Sequence, residues 1–349
     1  MELPTTYVEG FHEECDLRKM VYIRGTGSTE LCLSQLGIGG GSLGNHYGKI
    51  NEDDGISLVR QGIKRGINYI DTSPYYGHTS SEILIGKALK EIPREAYYIS
   101  TKVGRYGTSW ADFFDFSAER IISEFEKSLE RLGLESVDIL FVYDIEFGPW
   151  KQILTEALPA AQSLVDKGKA KYLGVSGYPV SLLWEAVEKS PVKIDVVLSY
   201  ARDCLFDSTL KKYASFFQAH DVRLINASLT GMGLLTNQGP PEWHPATDKL
   251  KTICRDAGQY CKDKGVELGN LSVYHSMHQP GYSSYLVGMK TLEELESNLK
   301  ITTEGLSQQE CSVLDEVRQK FFNSADNHHW EGVELEQYRK YQQANEAKT

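Results

Sequence analysis

Short apolar runs typical of buried strands alternate with amphipathic helical stretches along most of the chain, and this alternation is the feature that most restricts the possible folds. Eight strands are predicted, and they end near residues 39, 71, 102, 143, 176, 200, 228 and 287. Parallel strands need a long crossover between them, usually a helix, so this spacing predicts an all-parallel sheet. A closed (β/α)8 barrel accommodates eight such units in 349 residues. An open doubly wound sheet is the alternative, although no Gly-x-Gly-x-x-Gly motif follows the first strand.

The alternation predicts one α/β domain over residues 1–349, because no linker or low-complexity stretch divides it. The predicted TIM barrel core covers about 21–320. A loosely held segment at 1–19 precedes it, and a C-terminal helical extension at 325–349 follows it. An N-terminal β-hairpin is predicted over 21–33, where two apolar runs flank a Gly-Thr-Gly turn.

Charge and cysteine usage narrow the class of partner. The chain carries 37 Lys and Arg against 48 Asp and Glu, a formal net charge of −11, which argues against nucleic acid or an anionic membrane as partner. Neither a membrane span nor a signal peptide is predicted. The six cysteines are widely spaced and form no Cys-x-x-Cys pair. We therefore expect reduced thiols, no metal site and a cytoplasmic monomer or small homo-oligomer that acts on a small-molecule substrate.

Polar side chains stand at the ends of three predicted strands, namely Asp71, Lys102 and Tyr143, and Tyr76 follows in the loop after Asp71. In a parallel barrel these positions share one face. A tyrosine has an ordinary pKa of about 10, and a nearby ammonium favours the phenolate and lowers that pKa. The cluster therefore predicts a general acid for a carbonyl oxygen. An Asp–Lys ion pair that only stabilises the barrel rim is the alternative.

Several motifs recur in order at these strand ends. They are Asp71-Thr-Ser-Pro-Tyr-Tyr-Gly77 with Ser81-Glu82 and Gly86-Lys-Ala-Leu89, then Ile99-Ser-Thr-Lys102, Ser128-Leu-Glu-Arg-Leu-Gly133 before Val137-Asp-Ile-Leu140, and Gly174-Val-Ser176. On these motifs the chain resembles the aldo-keto reductase family over roughly 21–299. It is most similar to the L-galactose dehydrogenase branch. Segments that support the branch are Gly104-Arg-Tyr106, 115–120, 144–148, 231–236 and 238–245.

The resemblance implies a (β/α)8 barrel that transfers hydride with a nicotinamide cofactor, and it makes Asp71, Tyr76 and Lys102 catalytic. The family's fourth catalytic residue, commonly a His, is Tyr143 here. A phenol can donate a hydrogen bond to a carbonyl oxygen but does not titrate near neutral pH as imidazole does. Two functions follow. One is an NAD(P)-dependent oxidoreductase acting on a small aldehyde, ketone or sugar such as an aldose. The other is a cofactor-binding regulatory or redox-sensing protein with weak turnover.

The resemblance also implies a site for NAD(P)H. Its residues are Gly40, Asp71, Ser176, Ser199, Ser228, Leu229, Gly231, Gly288, Lys290, Glu294 and Asn298. Ser176 is expected to face the carboxamide, and the loop from Ser228 binds the pyrophosphate. Glu294 repels a 2′-phosphate whereas Lys290 attracts one, so the sequence does not decide between NADP and NAD.

Aromatic residues are candidates for the substrate pocket. Trp110 and Trp243 are predicted there, and for Trp110 a surface position is the alternative. His328-His329-Trp330 is compatible with either a pocket wall or a solvated tail.

Overall fold

Eight parallel strands close into a barrel in the computed structural model, which describes residues 3–25, 29–45, 47–322 and 328–346. The strands are β1 (Tyr22–Arg24), β2 (Cys32–Ser34), β3 (Leu36–Gly39), β4 (Tyr69–Asp71), β5 (Tyr98–Val103), β6 (Val137–Val142), β7 (Ala170–Gly177), β8 (Val196–Tyr200), β9 (Arg223–Ala227) and β10 (Ser284–Gly288).

Helices follow most barrel strands. The α-helices are α1 (Glu14–Leu17), α2 (Glu52–Lys64), α3 (Ser80–Leu89), α4 (Ala118–Leu132), α5 (Trp150–Gln152), α6 (Leu158–Asp166), α7 (Val180–Lys189), α8 (Ala214–Ala219), α9 (Asp248–Asp263), α10 (Leu268–Met277), α11 (Leu292–Glu304), α12 (Gln308–Val317) and α13 (Val333–Glu346). Within the described ranges, no helix is long and apolar enough to cross a membrane.

The barrel order is β10-β3-β4-β5-β6-β7-β8-β9, and β10 pairs with both β3 and β9. Each neighbouring pair is parallel; in one of them Ile38 lies opposite Ile70. The predicted closed barrel is confirmed, and the open sheet is excluded. Because all eight strands run the same way, their carboxyl ends meet at one mouth.

The predicted N-terminal hairpin is also confirmed, since β1 and β2 pair antiparallel with Tyr22 opposite Ser34. Of the predicted Gly-Thr-Gly turn at 25–27, positions 26 and 27 lie outside the described residues. Leu31 and Leu33 are buried in one apolar cluster with the barrel side chain Tyr69. The hairpin therefore packs against the inside of the barrel and contributes to its core.

Local sequence signals explain where the helices begin. The Asn51 side chain accepts hydrogen bonds from the backbone N–H groups of Asp53 and Asp54 at the start of α2. Ser117 caps α4 by accepting from the N–H of Arg120. Such caps satisfy N–H groups that have no partner inside the helix. They fix the helix starts that the sequence predicted.

The segment before the barrel is more firmly held than the sequence suggested. The expectation of a loosely held extension at 1–19 is wrong for residues 3–19. His12 and Leu17 are buried, and the hydroxyl of Thr6 accepts a hydrogen bond from the Asn68 side chain at 2.9 Å. This short, polar stretch has no clear hydrophobic period, so its contacts with distant residues were not visible in the sequence.

A buried carboxylate joins α3, α4 and β5. Glu82 is fully buried and accepts hydrogen bonds from the Thr101 hydroxyl and from Nε of Arg131, both at 2.6 Å. Arg131 also donates to Glu124 at 2.9 Å. The two helices approach closely here, because a Cβ atom on Gly86 would lie 2.3 Å from the Arg131 carbonyl oxygen. This ion pair thus fixes the outer layer beside the strands that carry Asp71 and Lys102.

We expect Arg131→Met to destabilise the fold by about 3–5 kcal/mol, because it leaves the Glu82 carboxylate buried without its counter-charge. Urea unfolding followed by circular dichroism measures the loss. The matched control is Lys189→Met, which removes the exposed pair with Glu185 on α7 and is expected to cost less than about 1 kcal/mol. Equal midpoints for the two variants would contradict the structural role given to Arg131.

Candidate active site

A cavity of about 800 Å³, here called the barrel cavity, opens at the carboxyl ends of the strands. Its wall contains Gly39, Asp71 and Gly288, the last residues of β3, β4 and β10. Tyr76 and Tyr143 line it as well. Three of the four predicted catalytic side chains therefore share one chamber, and the fourth, Lys102, lies directly beneath it.

Lys102 and Asp71 form a buried ion pair. The Lys102 Nζ atom lies 2.5 Å from Asp71 Oδ2 and 2.8 Å from the Thr72 carbonyl oxygen. The Ser100 hydroxyl donates to the other Asp71 oxygen at 2.7 Å. Lys102 is fully buried and Asp71 is 3% exposed. Burial lowers the pKa of Lys102, and the Asp71 carboxylate opposes that change.

Tyr76 and Tyr143 lie over this pair. Lys102 Nζ is 4.6 Å from the centre of the Tyr76 ring and 5.4 Å from that of Tyr143. The two rings meet edge to face, with centroids 6.2 Å apart, and the phenol groups are close enough to share a hydrogen bond. A buried ammonium, two phenols and a carboxylate are thus brought together as predicted.

The electrostatic expectation for Tyr76 is wrong in this structure. Burial raises the pKa of Tyr76 well above its ordinary value, and Tyr143 and Asp71 raise it further. Lys102 does not reverse this because its charge is balanced by Asp71 and its hydrogen bonds go to Asp71 and Thr72. Burial and the adjacent Asp144 likewise raise the pKa of Tyr143. Both phenols are therefore protonated at neutral pH.

Arg105 is a cavity residue that the sequence reasoning did not single out. It follows β5, is 7% exposed and lines the barrel cavity. Its Nη1 donates to Asp144 at 2.6 Å, and its Nη2 donates to the Tyr75 hydroxyl at 3.0 Å. The guanidinium carbon lies 3.9 Å from the centre of the Tyr75 ring. The available signal was a basic residue three positions after the predicted strand end at Lys102.

The predicted cofactor residues divide into two groups. Those that line the barrel cavity are Asp71, Ser228, Gly288, Lys290 and Glu294. Those that lie outside its wall are Gly40, Ser176, Ser199, Leu229, Gly231 and Asn298.

Two members of the second group, Gly40 and Asn298, have identifiable packing roles. Gly40 lies behind the wall, because its carbonyl accepts from Ser81 and a Cβ there would lie 2.6 Å from the Asp71 carbonyl oxygen. Its neighbours Gly39 and Gly41 line the cavity instead. Asn298 lies one turn after Glu294 on α11 and donates to its carbonyl at 2.8 Å.

Aromatic side chains close the cavity on two sides. Trp110 lines it and packs against Tyr338 of α13, with ring centroids 5.6 Å apart. Trp243 also lines it, is 45% exposed and packs on Tyr47 at 5.5 Å. Both predicted pocket tryptophans therefore belong to the wall.

The C-terminal segment also contributes to this region. Trp330 is 2% exposed and stacks on Tyr178, so it is part of the packed structure and not a solvated tail. Trp330 lines a second, smaller cavity, Gln337 of α13 lines the barrel cavity, and Glu334 of α13 lines both.

His244 is a buried cavity residue in the segment between β9 and α9. It is 2% exposed; one ring nitrogen contacts the Gly231 carbonyl oxygen at 3.0 Å, and the other accepts from the Ala246 N–H at 3.0 Å. Burial lowers the pKa of His244 to about 4. The imidazole is therefore neutral in the folded protein at neutral pH and holds the loop that begins at Ser228.

Comparison with known proteins gives consistent results. The family model described as "Aldo/keto reductase family" matches residues 35–319. The L-galactose dehydrogenase of Arabidopsis thaliana is 41% identical over 304 residues, which are 85% of this chain and 94% of that protein. The D-arabinose 1-dehydrogenase of Saccharomyces cerevisiae is 32% identical over 320 residues, 85% of this chain and 93% of that protein.

Solved structures agree on the fold. An aldo-keto reductase from Bacillus halodurans superimposes with a TM-score of 0.67 at 21% identity, and the match covers 85% of this chain and 96% of that one. The glycerol dehydrogenase of Gluconobacter oxydans gives a TM-score of 0.67 at 22% identity, with 87% and 97% covered. At these identities the similarity shows a shared barrel fold.

The lowered pKa of His244 predicts that the stability of the folded protein depends on pH. The pKa of His244 is about 4 in the folded chain and about 6.5 in an unfolded one. The unfolded state thus binds more protons between these values, and stability falls as pH falls from 6.5 to 4. The loss attributable to this residue is about 3 kcal/mol. We expect His244→Gln to flatten this part of the stability curve, as measured by thermal unfolding at a series of pH values.

The control for this measurement is His220→Gln, which changes an exposed histidine at the end of α8. It is expected to leave the slope unchanged. A slope that is the same in His244→Gln and the unmodified protein would show that His244 is not the titrating group.

Proposed function

The chain belongs to the aldo/keto reductase family and is an NAD(P)-dependent oxidoreductase, and from this premise we propose that it interconverts a small aldose and its oxidised product, with Tyr76 as the acid and base. The observation that carries the proposal is the buried Asp71–Lys102 pair beneath Tyr76 and Tyr143 at the barrel mouth. A buried charge pair is costly to desolvate. An ion pair at the barrel rim would only stabilise the fold, whereas this pair lies under two phenols and can assist proton transfer.

The residues around the barrel cavity fit a dinucleotide. The Ser176 hydroxyl is buried with no partner in the described part of the chain, which suits an amide ligand. Gly39, Gly41 and Gly288 line the wall, and because glycine has no side chain, a phosphate could approach the backbone closely there. When bound, the nicotinamide supplies or accepts the hydride. We propose that Ser176, Ser199, the loop from Ser228 through Leu229 and Gly231, and the β10–α11 segment hold this cofactor.

The form of the cofactor stays open in this proposal. Lys290 and Glu294 both line the barrel cavity. The Glu294 carboxylate accepts from the Lys290 backbone N–H at 2.6 Å, and the Lys290 ammonium donates to the Tyr47 carbonyl at 3.3 Å. A cation and an anion therefore line the same cavity four residues apart, and they would act on a 2′-phosphate in opposite directions.

The protein groups account for proton transfer to a carbonyl oxygen. Tyr76 is protonated at neutral pH because its pKa is raised, so it is ready to donate. As its proton leaves, the ammonium of Lys102, 4.6 Å from the ring centre, stabilises the phenolate that forms. Asp71 keeps that ammonium in place. Tyr143 donates a second hydrogen bond that orients the carbonyl.

An aldose is the first substrate class to test. Two relatives that are at least 30% identical over most of their length carry the names of sugar dehydrogenases, namely L-galactose dehydrogenase and D-arabinose 1-dehydrogenase. The barrel cavity combines aromatic walls with polar groups such as Arg105 and Glu334, which suits a compact polyhydroxylated molecule.

A regulatory protein with weak turnover is the second candidate. The observation in its favour is Tyr143, which stands where the family commonly has His and whose raised pKa prevents it from titrating near neutral pH. Under that alternative the chain binds NADH or NADPH tightly and turns over slowly with every carbonyl compound.

We expect Tyr76→Phe to reduce kcat by about 10²–10⁴, the usual contribution of a general acid, with cofactor affinity unchanged. The assay uses L-galactose, D-arabinose and simple aldehydes with NADH and NADPH and their oxidised forms. Tryptophan fluorescence quenching reports cofactor binding. Tight cofactor binding without turnover of any compound favours the regulatory protein. Full activity in Tyr76→Phe contradicts the mechanism.

Tyr143→Phe is expected to lower kcat by about 10²–10³, because one hydrogen-bond donor to the developing oxyanion is lost, while cofactor binding is retained. Tyr143→His should raise activity toward ketones and steepen the pH dependence near neutrality, since imidazole titrates there. The alternative is that Tyr143 is only a wall. Unchanged kinetics in Tyr143→Phe, with an unchanged circular dichroism spectrum, would establish that alternative.

A further inference from the structure

Arg105 and Glu334 line the same barrel cavity from opposite parts of the chain. Arg105 follows β5, and Glu334 lies in the first turn of α13. Their charges act on each other, since Glu334 contributes to raising the pKa of Arg105 and Arg105 opposes the rise that burial causes in the pKa of Glu334. Neither a direct ion pair nor a hydrogen bond joins these two described residues. Both side chains therefore border the open space of the barrel cavity without being joined to each other.

Arg105 is a fixed donor. Its ion pair with Asp144 and its hydrogen bond to Tyr75 use one N–H on each terminal nitrogen. The ring of Tyr75 supports the guanidinium from one side. A guanidinium has five N–H groups, so further donors remain, and within the described residues they have no acceptor. Its carbon lies 5.8 Å from the centre of the Tyr143 ring, which places these donors next to the proposed reaction centre.

Glu334 is a fixed acceptor. Its carboxylate has no hydrogen-bond partner in the ranges that the structure describes, and it lines the cavity. One turn later on the same helix face, Tyr338 is 8% exposed and packs against the rings of Trp110 and Phe114 at 5.6 and 5.0 Å. This aromatic contact holds the first turn of α13 over the cavity, so the carboxylate has a defined position.

The charges of Arg105, Asp144 and Glu334 determine which chemical group of a substrate can bind between Arg105 and Glu334. The single positive charge of Arg105 is already neutralised by Asp144 at 2.6 Å. Glu334 adds a second negative charge, and the neighbouring Asp71–Lys102 pair adds none. A carboxylate on the substrate would therefore meet net repulsion in a poorly solvated space. A neutral hydroxyl can accept from Arg105 and donate to Glu334 at the same time.

We propose, on the basis of the function proposed above, that Arg105 and Glu334 form a subsite for the hydroxyl groups of the substrate remote from the reacting carbonyl. In this subsite Glu334 excludes carbonyl compounds that carry a carboxylate at that end. The pair is thus a specificity determinant for neutral polyols. It has no role in proton transfer.

Three six-carbon compounds test the proposal: L-galactose and L-galacturonate are both cyclic hemiacetals in water and differ at C6, whereas hexanal is an open-chain aldehyde that reports turnover without the subsite. Hexanal has no hydroxyl groups, L-galactose has neutral ones, and L-galacturonate adds a carboxylate. We expect Glu334→Ala to lower kcat/KM for L-galactose by about 10–100-fold, the usual effect of losing a hydrogen bond to a charged group, mainly through KM. Turnover of hexanal should not change.

Glu334→Gln tests the effect of the negative charge separately from the effect of side-chain size. It keeps the size of the side chain and a carbonyl acceptor but removes the negative charge. We expect the preference for L-galactose over L-galacturonate to fall at least tenfold in this variant. Arg105→Lys, which retains the charge opposite Asp144, should lower kcat/KM for L-galactose at least tenfold more than it lowers kcat/KM for hexanal, since an ammonium cannot reproduce the planar donor fork.

Glu336→Gln is the matched control, because Glu336 lies on the same helix in an exposed pair with Lys340 at 2.7 Å and should leave all three rates unchanged. Calorimetric titration of L-galactose into the cofactor-saturated protein gives a readout that needs no turnover, and Glu334→Ala should abolish that heat. Absence of turnover with every aldehyde would overturn the proposed function. Turnover of hexanal with a galactose preference that Glu334→Ala does not change would overturn the subsite alone.

Discussion

The ion pair between Asp71 and Lys102 is the interaction on which the arrangement of the barrel mouth depends. Two opposite charges are removed almost completely from water, and only precise partners make this tolerable. The second Asp71 oxygen accepts from Ser100, and the ammonium also donates to the Thr72 carbonyl. Asp71 is contributed by β4, whereas Lys102 and Ser100 are contributed by β5. The pair therefore requires the parallel register of these strands, in which Asp71 lies opposite Ser100.

The environment of this ion pair also explains why the pKa values of Tyr76 and Tyr143 are raised. Because the Asp71 carboxylate offsets part of the Lys102 charge, the effect of the ammonium on the Tyr76 hydroxyl is smaller than the effect of burial, which dominates the pKa of Tyr76. The sequence places a Lys near a Tyr, and this alone suggested a lowered pKa. The opposite direction follows from two facts that spacing cannot give, namely the desolvation of the phenol at the cavity wall and the 2.5 Å contact that occupies Lys102.

The fold was largely predictable because its signals are local. Eight apolar runs, capping residues such as Asn51 and Ser117, and crossover-length spacing identify the strands, helices and parallel sheet without any knowledge of distant contacts. Closure of the sheet then brings Asp71, Tyr76 and Tyr143 together. The residues that were missed, Arg105 and Glu334, meet across 229 positions of sequence. Gly40 was predicted to contact the cofactor, but the one-residue precision needed to separate it from Gly39 and Gly41, which line the cavity, depends on backbone direction.

Substitutions at the site are expected to affect stability differently, depending on whether the residue lies inside the barrel or on α13. The groups proposed for proton transfer are held by hydrogen bonds inside the barrel, where substitution also disturbs the core. Glu334, in contrast, is held by a helix whose described contacts with the loop after β5 run through the rings around Tyr338. Its solvent-side neighbours can vary at small cost to stability. Natural sequence variation in α13 can therefore change which substrates bind while the residues proposed for proton transfer stay the same.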